Sequence, residues 1–165
     1  MNHDVYAEWL VKRKTPASVR VLKVVTAVLA AVSVVLAIML PFGMLILLLC
    51  GGLCYLVFRN GAVEFEYLYV TGILSVDKIM GQSKRKQIWE SSMEEIQMIA
   101  PEGSGELKSL EKPGMKVLDF TSRVPGKKVY AVISQNKGEL TKVLIEPNDQ
   151  MIQCFWQTAP RKVMK

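Results

Sequence analysis

The chain has 165 residues, a formal net charge of +6 and a hydrophobic content of 50%. This length predicts one or two compact units. A nucleic-acid-binding protein normally concentrates its basic residues beside a recognisable reading motif, and this sequence shows no such combination, so we expect no nucleic-acid partner.

Residues 1–18 combine apolar and basic side chains and are predicted to form an amphipathic segment. Asp4 is a suitable N-cap for a short helix that would end before Pro16. The helix could lie among anionic lipid headgroups or dock on the rest of the protein, and the sequence leaves both interpretations open. The residues predicted to anchor it at a membrane surface are Trp9, Lys12, Arg13 and Lys14.

Residues 24–58 form an uncharged apolar run of 35 residues. Such a run indicates transmembrane helix, but at about 1.5 Å per residue it would be about 52 Å long, too long for one helix across a core of about 30 Å. Pro41 and Gly43 break the run near its middle. We therefore predict a transmembrane helical hairpin over 19–60, with spans at 21–40 and 43–58 and a turn at 41–43.

The basic residues beside these spans predict their orientation. Five Lys or Arg residues lie within residues 1–23, before the uncharged run, and Arg59 follows its end, whereas the turn has none. By the positive-inside rule, the protein is predicted to be a multi-pass protein of the cell membrane with both termini in the cytoplasm. A cleaved signal peptide would have a shorter apolar region and no second span.

The composition of the spans favours helix packing over transport. They contain no Asp, Glu, Lys, Arg or His between residues 24 and 58, whereas ion and proton pathways usually need such groups. Small residues allow close helix approach in lipid. The predicted packing face consists of Ala27, Ala30, Ala31, Ala37, Gly51 and Gly52.

Residues 61–165 change to an alternating apolar and polar pattern, which is typical of strands. An amphipathic helix is predicted at about 148–157, opened by Pro147 and Asn148 and stopped by Pro160. The stretch from Pro101 to Pro113 is predicted to be a long loop. The seven predicted strands are 62–70, 73–80, 86–90, 96–100, 115–121, 128–134 and 140–145.

Seven strands followed by one helix resemble a pleckstrin-homology (PH) fold, in which the helix caps a bent antiparallel β-barrel. The sequence is similar to bacterial PH-like domains attached to membrane hairpins at Tyr69-Val70-Thr71, Leu74, Gly81, Lys84-Arg85-Lys86, Ile88 and Ile96. Through Tyr6 to Lys14 and Ala159-Pro160-Arg161-Lys162-Val163, the whole chain resembles a family of small uncharacterised membrane proteins of Gram-positive bacteria. The resemblance implies an α+β membrane protein and no assigned activity.

One departure from the PH pattern concerns the first hairpin, where phosphoinositide-binding members carry basic residues. Here the turn Val70-Thr71-Gly72-Ile73 has no positive charge, so phosphoinositide binding is not expected. Lys84, Arg85 and Lys86 form the densest basic cluster of this part of the chain. They could contact anionic lipid headgroups, or they could simply be solvated residues at a sheet edge.

Catalysis is not expected, because residues 59–165 contain no histidine and Cys154 falls on the apolar face of the final helix. No cofactor or metal site is expected either. The sequence favours a membrane-anchored binding or scaffold module for anionic lipid headgroups or an unidentified protein, including a second copy of the chain. The alternative is a regulatory or structural subunit that contacts a larger membrane complex through its helical hairpin.

Overall fold

The structure is a computed structural model that describes residues 6–61, 63–81, 84–136 and 138–164. The chain divides into two compact units. One, here called the β unit, contains the residues up to Arg13, Glu64–Ile79 and the residues from Arg85 onward; the other, the helical unit, contains Lys14–Val63 and Met80–Lys84. In sequence, the helical unit is therefore inserted near the start of the β unit.

The helical unit contains two consecutive helices, α1 (Ala17–Met39) and α2 (Gly43–Asn60), in the segments predicted to be helical. They run antiparallel, because the start of α1 meets the end of α2 and vice versa. The Lys23 ammonium lies 5.3 Å from the centre of the Phe58 ring, and Gly43 packs on the backbone of Leu36. In the described part of the chain, α1 is the helix long and apolar enough to cross a membrane, whereas α2 is apolar but shorter.

The β unit contains two four-stranded sheets and two further helices. Sheet 1 has the order β1-β2-β3-β4, and sheet 2 has the order β5-β7-β8-β6. The strands of sheet 1 are β1 (Tyr6–Lys12), β2 (Val63–Val70), β3 (Ile73–Met80) and β4 (Lys84–Ser92). Sheet 2 and the helices comprise β5 (Ile96–Pro101), α3 (Gly105–Leu110), β6 (Lys116–Asp119), β7 (Tyr130–Asn136), β8 (Glu139–Ile145) and α4 (Asp149–Thr158).

The helix predicted for the N-terminal segment is wrong, because residues 6–12 form strand β1. This strand pairs antiparallel with β2, with Tyr6 opposite Val70 and Lys12 opposite Glu64. Ala7 and Val11 are buried on one face of the strand. The predicted cap, Asp4, lies outside the described residues.

All seven strands predicted after residue 61 are present, but they do not form an antiparallel barrel. β6 pairs with β8 in parallel, and the two sheets remain open. The loop predicted over Pro101–Pro113 contains the short helix α3, whose Leu107 is fully buried against sheet 2. The Lys142 ammonium holds the end of this helix through the Glu111 carboxylate at 2.5 Å.

The core of the β unit contains the aromatic side chains of β2. Side chains alternate between the two faces of this strand, and Phe65, Tyr67 and Tyr69 face inward. α4 covers this core with its apolar face, and the Tyr69 and Phe155 rings meet edge to face with centroids 5.0 Å apart. The Asn148 side-chain oxygen accepts a hydrogen bond from the Met151 amide at 2.8 Å, so the predicted N-terminus of this helix is correct.

The residues after α4 complete sheet 2. Val163 forms a parallel bridge with Ile99, and the Lys162 ammonium donates a hydrogen bond to the Met93 carbonyl at 2.7 Å. The C-terminal segment thereby covers the outer edge of β5, which would otherwise leave its backbone groups unpaired.

Candidate functional site

A groove of about 380 Å³ lies within the β unit along strand β1. We call it the β1 groove. Four consecutive β1 residues line it, although consecutive side chains of a strand point to opposite faces of its sheet. The groove therefore runs along an edge of the strand and not over one face. It is lined by Trp9, Leu10, Val11, Lys12, Ser122, Val124, Lys127, Lys128, Glu146 and Pro147.

The wall opposite β1 is fixed by hydrogen bonds around Glu146. This carboxylate is buried, and its Oε1 accepts bonds from the Ser122 amide at 2.9 Å and the Ser122 hydroxyl at 2.8 Å. The Tyr67 hydroxyl donates to the Phe120 carbonyl at 2.7 Å and accepts from the Glu146 amide at 3.3 Å. Burial raises the pKa of Tyr67 well above its ordinary range, so the hydroxyl stays protonated.

Asp119 fixes the chain just before this wall. Its carboxylate accepts hydrogen bonds from the Thr121 hydroxyl at 2.7 Å, the Arg123 guanidinium at 2.8 Å and the Arg13 guanidinium at 3.0 Å. Burial opposes ionisation of this carboxyl, but the bonds from Thr121 and Arg123 outweigh it and hold the pKa of Asp119 below its ordinary value. Arg123 has a φ of 59°, an uncommon conformation that these contacts stabilise.

The charges that line the groove are mainly positive. Lys12, Lys127 and Lys128 contribute three cations. Among the described residues, Glu146 is the one acidic residue in the lining, and its carboxylate already accepts the two bonds from Ser122. Trp9, Leu10 and Val124 are each about 40% exposed, so the groove also offers apolar surface.

The predicted N-terminal anchor residues are separated by the structure. Trp9 and Lys12 line the β1 groove. Arg13 binds Asp119, and its guanidinium lies 5.2 Å from the centre of the Phe65 ring. Lys14 is exposed and belongs to the helical unit.

The basic cluster of β4 is also divided. Arg85 binds the buried Glu66 carboxylate at 2.5 Å and lies 3.8 Å from Asp77. Burial raises the pKa of Glu66, and the Arg85 charge opposes this effect. Lys84 and Lys86 are exposed and form no ion pair in the described residues. Arg85 thus stabilises sheet 1, and two of the three cations face solvent.

Within the helical unit, the most buried α1 side chains are Thr26 and Ser33. Ala30 and Ala37 fall on the same face, at spacings of three and four residues, and are half-buried. The Thr26 hydroxyl donates to the Leu22 carbonyl at 2.9 Å, and the Ser33 hydroxyl donates to the Ala30 carbonyl at 2.7 Å. Four other residues of the predicted packing face lie outside this contact: Ala27, Ala31 and Gly52 are exposed, and a Cβ at Gly51 would meet open space.

Sequence reasoning missed the groove residues that follow β6. The sequence pattern places Lys128 in a predicted strand and Ser122, Val124 and Lys127 between two predicted strands, and it does not single out Glu146. The available signal was the pair of lysines directly after Pro125-Gly126. In the described part of the chain, no group of three His, Cys, Asp or Glu side chains could hold a metal ion.

The β unit combines two open sheets, a C-terminal helix and a surface groove. A family model described as a bacterial PH-like domain, DUF6106, matches residues 3–165, and the chain belongs to this family. The match includes β1 as well as both helices of the helical unit. Comparison with curated proteins and with solved structures gave no match.

Proposed function

We propose that this protein is a non-catalytic binding module anchored in the cell membrane by α1 and α2, with its β unit in the cytoplasm. The observation that carries the proposal is the exposure of apolar side chains on both helices: only 11% of the apolar window of α1 is buried. Exposing apolar surface to water costs about 25 cal/mol of free energy per Å². In a bilayer the same side chains contact lipid, and this cost does not arise.

The helix lengths fit this anchoring role. At about 1.5 Å per residue, the 23 residues of α1 extend about 34 Å and the 18 residues of α2 about 27 Å, close to a hydrocarbon core of about 30 Å. Arg20 and Lys23 lie near the start of α1 and Arg59 lies near the end of α2, whereas Pro41-Phe42 at the turn is uncharged. This distribution favours cytoplasmic termini.

Single-cysteine labelling of intact cells tests the proposed topology. In a background with Cys50, Cys54 and Cys154 replaced by serine, Phe42→Cys should react with a membrane-impermeant maleimide from outside, because Phe42 is 78% exposed at the turn. Glu139→Cys, on the exposed start of β8, should react only after lysis. Labelling of Glu139→Cys in intact cells, or release of the protein by alkaline carbonate, would contradict the proposal.

A second candidate function is that of a subunit that joins a membrane complex through its helices. It is favoured by the exposure of Ala27, Ala31 and Gly52, small residues that the α1–α2 contact leaves uncovered. Leucine at Ala27 and Ala31 should then dissociate the complex in mild detergent, whereas Val25→Leu, at an exposed position on another face of α1, should leave its size unchanged. An unchanged complex in the double variant would exclude this surface as the contact.

A further inference from the structure

Strand β1 has one free edge, and that edge faces the β1 groove. In the described residues, β1 is a terminal strand of sheet 1 and pairs only with β2. The opposite edge therefore presents unpaired backbone N–H and C=O groups, which are a template for another strand. Since the groove touches Trp9, Leu10, Val11 and Lys12 in succession, the free edge is where an occupant would lie.

The far wall of the groove is organised before any ligand arrives. Ser122 and Glu146 bind each other, and the Val124 amide donates to the Ser122 hydroxyl at 3.1 Å. Asp119, held by Arg13, secures the preceding residues. Binding of a ligand would therefore not have to order this wall, so the binding free energy would include no entropic cost for ordering it.

The cations along the groove favour an acidic occupant. Lys127 and Lys128 are exposed and form no ion pair with any described residue. Lys12 lies 3.5 Å from Glu64, but its side chain is 75% exposed, so this weak surface pair leaves the ammonium accessible. Complementary charges across an interface give orientation and partner selection.

We propose that the β1 groove binds an acidic protein segment in an extended conformation, which adds to sheet 1 as a fifth strand beside β1. Backbone hydrogen bonds to β1 supply affinity, and carboxylates facing Lys127 and Lys128 fix the orientation of the segment. Apolar side chains between its acidic residues pack on Trp9 and Val124. The inference rests on the proposed binding function and specifies its partner class.

The test uses the full chain in mild detergent and three matched pools of synthetic eight-residue peptides. Each pool alternates varied apolar residues with one polar class: Glu or Asp, Lys or Arg, and Ser or Thr. Fluorescence anisotropy should show the acidic pool binding at least tenfold more tightly than the other two. Equal binding by the three pools, or no binding by any, would overturn the proposal.

Charge reversal locates the site. The double variant Lys127→Glu, Lys128→Glu should weaken binding of the acidic pool about tenfold or more. Lys112→Glu, Lys116→Glu changes the net charge equally at a separate surface of the β unit and should change binding less than twofold. An effect of the control equal to that of the groove variant would show non-specific attraction and overturn the assignment.

Backbone methylation tests the extended pairing itself. A strand directs alternate N–H groups to opposite edges, so N-methylation of odd or of even residues blocks one edge only. For the tightest acidic peptide, one methylated form should lose binding at least tenfold and the other should retain it. Retention by both forms would exclude strand addition.

A lipid occupant would give a different result. Short-chain phosphatidylglycerol that binds through Lys127 and Lys128, while no peptide pool binds, would assign the groove to headgroups and overturn the peptide proposal. Cysteine labelling of the turn and of β8 separately tests the membrane anchor. Failure of the peptide test with the expected labelling pattern would therefore remove only the inferred partner.

Discussion

Replacing Phe155 by alanine is expected to lower the free energy of unfolding of the β unit by about 3–5 kcal/mol, the usual cost of removing a fully buried aromatic ring. Phe155 has no exposed surface, and its ring packs edge to face on Tyr69 at 5.0 Å. The variant loses both the buried apolar area and this aromatic contact, and it leaves a cavity beneath α4.

Gln153→Ala is the matched control, because Gln153 lies on the exposed face of the same helix. Its substitution should change stability by less than about 0.5 kcal/mol. Urea unfolding of the full chain in mild detergent, followed by near-ultraviolet circular dichroism, measures both variants. Similar midpoints for Phe155→Ala and the unsubstituted protein would show that α4 does not stabilise the core.

Local patterns were sufficient to predict most elements of the fold. In β2, inward aromatic residues alternate with Glu64 and Glu66, and this period of two identifies a strand without any knowledge of its partners. Pro41 and Gly43 likewise located the break between α1 and α2. Asn148 predicted the start of α4 because its side chain can accept a bond from the first turn.

Strand β1 could not be predicted in the same way. Its residues lack the alternation that marks a strand, since Trp9, Leu10 and Val11 are three consecutive apolar residues. Its strand partner is β2, which follows α1 and α2 in sequence, with Lys12 opposite Glu64. A pairing over that separation depends on tertiary structure, which overrides local propensity.

The β1 groove was unpredictable for the same physical reason. Lys12, Lys127 and Glu146 come from three distant segments, and only the meeting of the two sheets brings them together. The sequence marked Trp9 and Lys12 as surface residues beside a membrane, and the adjacent Lys127 and Lys128 were its one signal for the opposite wall. Arg85 is a similar case. In the sequence it lies between Lys84 and Lys86 and looks like a third exposed cation, but its guanidinium binds the buried Glu66 carboxylate.

Substitution of Gly43 by alanine is expected to destabilise the contact between α1 and α2. A Cβ atom at this position would lie 2.1 Å from the Leu36 carbonyl oxygen and 2.4 Å from the Ala37 Cα atom, both of them backbone atoms. Neither atom can move without displacing α1, so the helices must separate. The expected cost is about 1–3 kcal/mol, typical of overpacking.

Gly52→Ala is the control, because the same substitution is expected to change stability in the opposite direction at this position. A Cβ at Gly52 would meet no atom within 4 Å, and alanine is the better helix former by about 0.5–1 kcal/mol. Gly52→Ala should therefore raise the thermal midpoint of the full chain in detergent micelles, whereas Gly43→Ala should lower it. If both substitutions raised the midpoint, helix propensity would dominate, and the close approach of α2 to Leu36 could not be a stabilising contact of the helical unit.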